Sequence, residues 1–286
     1  MALKLMYITN HPEVAKIAED SGVDRIFVDM EYIGKAQRQG GMDTVQSHHT
    51  VADVKTLRAV VSRAQLLVRI NPIHEASEEY CSSREEIEAV IEAGADVLML
   101  PYFSTVEEAR FFCDTVAGRA KTMLLVETPG AVAALEELLA LPGVDEIHVG
   151  LNDLSLACAH PFMFVPLADG TVEKIGEKCR AGGIPFGFGG IASLGNGALP
   201  SEYIIREHYR LGSAGAILSR SFCDVHKITD MDQVRTIFVK GVRDIRNLER
   251  ECRLQDRDSS YFAENRKAVV ERVRAICARL GKDVNL

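Results

Sequence analysis

The sequence offers little that would tie the protein to a membrane, a nucleic acid or an oxidising compartment. No segment approaches the ~20 consecutive apolar residues of a membrane span. Its seven cysteines, Cys81, Cys113, Cys158, Cys179, Cys223, Cys252 and Cys277, are an odd number without a C-x-x-C pair, so neither a disulfide framework nor a zinc site is suggested. Positive charge is in deficit: 33 Lys and Arg against 41 Asp and Glu leave a formal charge of −8, which disfavours a nucleic acid or an anionic membrane as general partner. The first residues, Met1 to Tyr7, pass straight into polar Thr9-Asn10-His11 without the apolar region of a signal peptide, and a cytoplasmic location is expected. No G-x-G-x-x-G follows the first strand, which counts against a dinucleotide-binding open sheet.

What is present is a regular alternation. The length of 286 residues, with 47% hydrophobic and 26% charged residues, suits one large core, since α/β barrels take roughly 250 residues as one domain. Strand-like apolar runs recur at Lys4 to Thr9, Arg25 to Met30, Leu66 to Ile70, Ala95 to Leu100, Thr122 to Val126, Glu146 to Leu151, Pro185 to Gly189 and Gly215 to Leu218. Between them, helical periodicity covers Pro12 to Asp20, Val51 to Ser62, Ser83 to Ala93, Thr105 to Ala117, Ala131 to Leu141, Gly170 to Ala181 and Pro200 to Leu211. Gly22, Gly94, Gly143, Gly182 and Gly212 each follow a helical pattern, where a glycine C-cap is favoured. The expectation is an α/β fold, a (βα)8 TIM barrel with additional C-terminal helices; a doubly wound open sheet is the structural alternative. Residues 1–225 would form the barrel core and 226–286 a helical segment. Within the latter, Met231 to Arg253 and Phe262 to Leu280 are long amphipathic patterns. One would be the eighth barrel helix and the other would pack across the barrel or reach a second subunit, so a homo-oligomer is expected.

Several charged residues close apolar strands, an uncommon place for charge unless it works there. Glu127 ends Leu124-Leu125-Val126-Glu127-Thr128, and Asp153 follows Ile147-His148-Val149-Gly150-Leu151-Asn152. In a parallel barrel both would face the mouth, where two carboxylates leave most of an octahedral shell to water and substrate, as Mg2+ or Mn2+ prefers. The competing role is helix capping, to which Asp153 is equally suited. Arg69, in Leu66-Leu67-Val68-Arg69-Ile70, would hold an anionic substrate through its planar fork or form a structural ion pair with a barrel acid. Asp29 and Glu31 alternate on one side of the second strand, so both would point inward. The loop from Ile33 to Thr50 carries Lys35, Arg38, Gln39, Gly40, Gly41, Ser47, His48 and His49, and its length suits binding over the mouth. The glycine-rich Gly187 to Gly197 would either cradle phosphate or let a crowded loop turn.

Leu67-Val68-Arg69-Ile70-Asn71, Met99-Leu100-Pro101, Val126-Glu127-Thr128-Pro129 and Pro142-Gly143-Val144-Asp145-Glu146-Ile147-His148-Val149-Gly150-Leu151-Asn152-Asp153-Leu154-Ser155 resemble the HpcH/HpaI aldolase and citrate lyase β-subunit family. The resemblance implies a metal-dependent barrel that makes or breaks a carbon–carbon bond next to a pyruvate-type enolate of a 2-keto acid. It places the metal on Glu127 and Asp153, the keto acid on Arg69, and its carboxylate against backbone near Gly150 and Asn152. Family aldolases carry Glu-His at the end of the second strand, whereas this chain has Glu31-Tyr32, and the acid assisting that histidine corresponds to Glu92. Tyr32 is a poorer base near pH 7, so His11, His49 or a metal-bound water would substitute. A citryl- or malyl-CoA lyase, or a keto-acid-binding barrel without turnover, remain the alternatives.

Overall fold

The apolar runs become eight parallel strands: β1 Lys4–Ile8, β2 Arg25–Asp29, β3 Gln65–Arg69, β4 Val97–Leu100, β5 Lys121–Val126, β6 Glu146–Val149, β7 Phe186–Ile191 and β8 Gly215–Leu218. In this computed structural model, which describes residues 2–35, 47–255 and 259–286, they pair in sequence order and β8 closes on β1. The open-sheet alternative is thereby excluded.

Alternation divides each strand between two environments. Met6, Phe27, Leu67, Val97, Met99, Met123 and Leu125 form the packed barrel interior, while Ile26, Val28, Leu66, Val68, Leu124, Val126, Ile147 and Val149 face outward into the larger core beneath the helices. Polar residues obey the same period and close the barrel at both ends. At the floor, Arg25 is 1% exposed and binds Glu146 through Nη1 and Nη2 at 2.7 and 2.6 Å; Lys4 joins at 3.0 Å. At the opposite end, the next inward positions are Asp29, Arg69 and Glu127.

The helices are α1 Pro12–Asp20, α2 Val51–Arg58, α3 Ser83–Glu92, α4 Val106–Val116, α5 Pro129–Ala133, α6 Leu135–Leu139, α7 Leu151–Ala157, α8 Val165–Ala168, α9 Thr171–Ala181, α10 Ser201–Leu211, α11 Met231–Leu254 and α12 Ser259–Arg279. Thr50, Ser82 and Thr105 start α2, α3 and α4 with capping boxes closed by Asp53, Glu85 and Glu108, which satisfy amide groups that a helix start leaves without partners. Two boundaries differ from expectation. The sixth strand stops at Val149, and Gly150 begins α7, so Asp153 sits in a first helical turn rather than at a strand end. The pattern expected from Ala131 to Leu141 divides into α5 and α6 around Ala134.

After β8, α11 packs against α1 and α10, the place of an eighth barrel helix. Helix α12 lies outside that ring on α8 and α10, burying Phe262, Val269, Val273 and Cys277. Asn265 donates to Glu207 of α10 at 2.9 Å. Much of the apolar face of the surplus helix is thus covered within its own chain. No helix among the described residues is long and apolar enough to cross a membrane.

Candidate active site

Register brings the first two site residues together. Asp29 and Arg69 are direct partners across β2 and β3, both inward, and form a two-pronged ion pair: Nε to Oδ1 and Nη2 to Oδ2, each 2.8 Å. Lys35 Nζ adds a 3.0 Å bond to Asp29. Burial by itself raises the Asp29 carboxyl, but Arg69 and Lys35 reverse this and hold it well below the carboxylate range. Burial disfavours a charged guanidinium, yet Asp29, Glu31 and Glu127 together push Arg69 further up. The fork that could have gripped a substrate carboxylate is therefore occupied by Asp29. Nη1 remains directed to Glu31 at 3.3 Å. Glu31, fully buried, also meets Lys35 at 3.3 Å.

Glu127 extends the inward positions Met123 and Leu125 by one step. Its Oε1 accepts from the Tyr102 amide at 3.0 Å, where Tyr102 holds a left-handed φ of 47°. Thr128 fixes the following chain by donating to Phe103 O at 2.7 Å and capping α5 through the Ala131 amide. Across from Glu127, continuing the β5–β6 register, stands Gly150. A Cβ there would lie 2.3 Å from Glu127 Oε2, so only glycine admits the carboxylate. The Gly150 amide already donates to Val126 O at 3.1 Å; its contribution is clearance rather than an N–H for a ligand.

Burial raises the Glu127 carboxyl well above its ordinary value, and Glu31 and Asp153 raise it further, against Arg69 and the Tyr102 amide. The cluster thus concentrates buried acid beyond what Arg69 offsets, and a divalent cation would relieve that repulsion. Glu127 and Asp153 are hard oxygen donors of the appropriate kind. No group of three or more His, Cys, Asp or Glu poised to hold a metal occurs among the described residues, so a cation on this pair would complete its shell from water and substrate.

Beside the cluster opens a cavity of about 650 Å3, lined by Thr9, Asp29, Lys35, His49, Arg69, Asn152 and Ser219 and by residues of the 223–231 segment. Arg69 and Asn152 connect it to the carboxylates. The part of the long loop that contributes is Lys35, Ser47 and His49; Arg38, Gln39, Gly40 and Gly41 lie outside the described residues. The 187–197 glycines contribute nothing to the lining. Gly187 instead lies in β7, where a Cβ would meet Gly215 O at 2.5 Å.

Tyr32 does not join the cluster. The residue is 37% exposed and its ring packs edge-on against Tyr80, centroids 5.2 Å apart, because Asn71 Oδ1 holds the Tyr32 and Ile33 amides at 3.0 Å. Asn71 is held in turn by Glu86 at 2.9 Å. Burial and the nearby Tyr80 and Glu86 raise the phenol, which leaves still less phenolate at neutral pH to take a proton. Glu92 is exposed at the end of α3; the buried acid behind this segment is Glu86. What the sequence left unresolved was His49, whose Nδ1 accepts the Asp29 amide at 3.0 Å. Its signals were the unusual length of the loop and the tyrosine at position 32 where the family has a histidine.

An eight-stranded parallel barrel with a buried acid and arginine cluster at its mouth defines the class. Residues 4–161 match the family described as HpcH/HpaI aldolase/citrate lyase, and the chain belongs to that family. The 2-dehydro-3,6-dideoxy-6-sulfogluconate aldolase of Pseudomonas putida is 38% identical over 88 residues, which are 28% of this chain and 32% of that protein; the match spans about a third of the relative. Among solved structures, an HpcH/HpaI aldolase/citrate lyase family protein from Burkholderia cenocepacia J2315 superposes with TM-score 0.60 at 16% identity, covering 82% of this chain and 94% of that one. The HpcH/HpaI aldolase from Desulfitobacterium hafniense DCB-2 gives 0.58 at 17% identity, covering 85% and 92%. At these identities the likeness is one of fold.

Proposed function

We propose that the protein is a divalent-metal-dependent carbon–carbon lyase that works through a pyruvate-type enolate of a 2-keto acid. The observation that carries this is the buried Glu127, pushed towards protonation by burial, Glu31 and Asp153 and admitted only because residue 150 is glycine. Glu127 and Asp153 would hold Mg2+ or Mn2+, which when bound supplies Lewis-acid polarisation of the keto oxygen. Arg69 adds fixed positive charge where the enolate develops, and Asp29 with Lys35 keeps its guanidinium from turning away. With Nε and Nη2 engaged by Asp29 and Nη1 directed to Glu31, Arg69 would act on the substrate as fixed nearby charge rather than as a fork. Asn152, at the start of α7 and on the cavity lining, would receive the carboxylate of the keto acid.

The test is magnesium-dependent exchange of the pyruvate methyl protons with solvent, followed by NMR. Exchange requires enolisation but no knowledge of the second substrate. Wild-type protein should exchange, and Glu127→Gln and Asp153→Asn should each lose at least about a hundredfold. If pyruvate binds without exchange, the outward Tyr32 gains significance and the protein is a keto-acid-binding barrel without turnover.

A further inference from the structure

We propose that His49 is locked as the Nε2–H tautomer and that this N–H hydrogen-bonds the carbonyl oxygen of an aldehyde acceptor occupying the 650 Å3 cavity. The proposal rests on the enolate chemistry above.

The lock originates in where β1 ends. Thr9 N donates to Phe27 O at 3.1 Å, and in a parallel ladder the next bond would run from the Asp29 amide back to β1. But β1 stops at Ile8 and the chain turns into α1, leaving the Asp29 N–H at the barrel rim without a strand partner. His49 Nδ1 takes that hydrogen at 3.0 Å. A backbone amide can only donate, so Nδ1 must be bare, and the neutral ring then carries its proton on Nε2. Burial lowers the His49 imidazole, while Asp29 and Asp53 counter it; the direction favours the neutral ring.

This arrangement selects one role. A general base needs a bare nitrogen facing substrate, and here the bare nitrogen is turned to the backbone. His49 is also held by Asp29, which grips Arg69, so the donor and the enolate-stabilising cation share one anchor. Both residues line the cavity together with Asn152, and Tyr32 faces away. In condensation, the enolate carbon forms the new bond to the aldehyde carbon. The carbonyl π pair moves to its oxygen, where the Nε2–H stabilises the alkoxide. Water protonates that oxygen, and the hydroxide left is neutralised by the proton released earlier from the pyruvate methyl. Cleavage runs in reverse. His49 transfers no proton in either direction; it supplies a preorganised donor to a developing oxyanion. The lining alternates polar Thr9, Asn10 and Ser219 with apolar Ile8, Val14 and Leu218, which fits a short hydroxylated aldehyde.

Three measurements decide it. In 15N-histidine-labelled protein, with His49 assigned from the His49→Gln spectrum, long-range proton–nitrogen correlations should show Nδ1 bare and Nε2 protonated. With magnesium, pyruvate and glycolaldehyde as probes, His49→Ala should slow condensation by about 10²- to 10³-fold and methyl-proton exchange by far less. His49→Gln, which keeps an N–H near the Nε2 position, should recover part of the loss. A protonated Nδ1, equal losses of exchange and condensation in His49→Ala, unchanged condensation in it, or no condensation by wild-type protein would each overturn the assignment. Absence of exchange in the wild type would instead sink the enolate mechanism, and the nitrogen pattern would still decide the tautomer.

Discussion

Charge in this site is arranged by single residues that leave room as much as by those that bind. Gly150 illustrates this: its value is the absence of a Cβ that would stand 2.3 Å from Glu127 Oε2. Gly150→Ala should therefore displace the Glu127 carboxylate, lowering magnesium-dependent proton exchange by at least about tenfold and costing roughly 1–3 kcal/mol in urea unfolding. Both effects belong to one substitution on a backbone whose φ of −82° any residue could adopt, so the cost is contact rather than conformational strain. His49 shows the complementary device, in which one main-chain amide decides which nitrogen of a ring bears the proton.

Among the secondary-structure elements, the strands act as rulers that set charge at fixed heights. Along β2, Arg25, Phe27 and Asp29 mark floor, middle and rim, and the register with β3 sets Asp29 beside Arg69. The floor cluster should govern part of the acid stability. Burial raises Glu146, but Arg25 and Lys4 overcome this and bring its carboxyl from 4.5 down to about 2. A depressed native value means that this stabilisation is fully present above the unfolded value near 4.5 and lost as pH falls toward 2. Glu146→Gln should cost about 3 kcal/mol near neutral pH by denaturant unfolding, since it leaves Arg25 buried without its carboxylate. The variant should also show a flatter stability curve between those two pH values.

For the whole molecule, the barrel supplies a mouth at one end and the C-terminal helices brace its side. Helix α12 covers α8 and α10, far in sequence from β2 and β3, with Val273 fully buried. Val273→Ala should lower stability by about 2 kcal/mol and the melting temperature by roughly 4–8 °C, checked by calorimetry. Methyl-proton exchange at the optimum temperature should be unchanged. Loss of exchange in the folded variant would show that α12 does more than brace the barrel.

The periodicities of the chain carried much of this protein. Short continuous apolar runs separated by helical stretches pointed to eight strands, and alternation placed Asp29 and Glu31 on the inside, because a pleated strand has only two faces. Other features depended on contacts that local pattern does not encode. Asp153 proved to stand in a helix turn because β6 ended earlier than its apolar run; Leu151 is buried whether strand or helix, so hydrophobicity alone could not place the boundary. The closure of β8 on β1, the capture of the Arg69 fork by Asp29, the outward Tyr32 and the bond from the Asp29 amide to His49 were decided only by the tertiary structure. Each joins groups from separate segments, where distance and direction, rather than residue type, choose the partner.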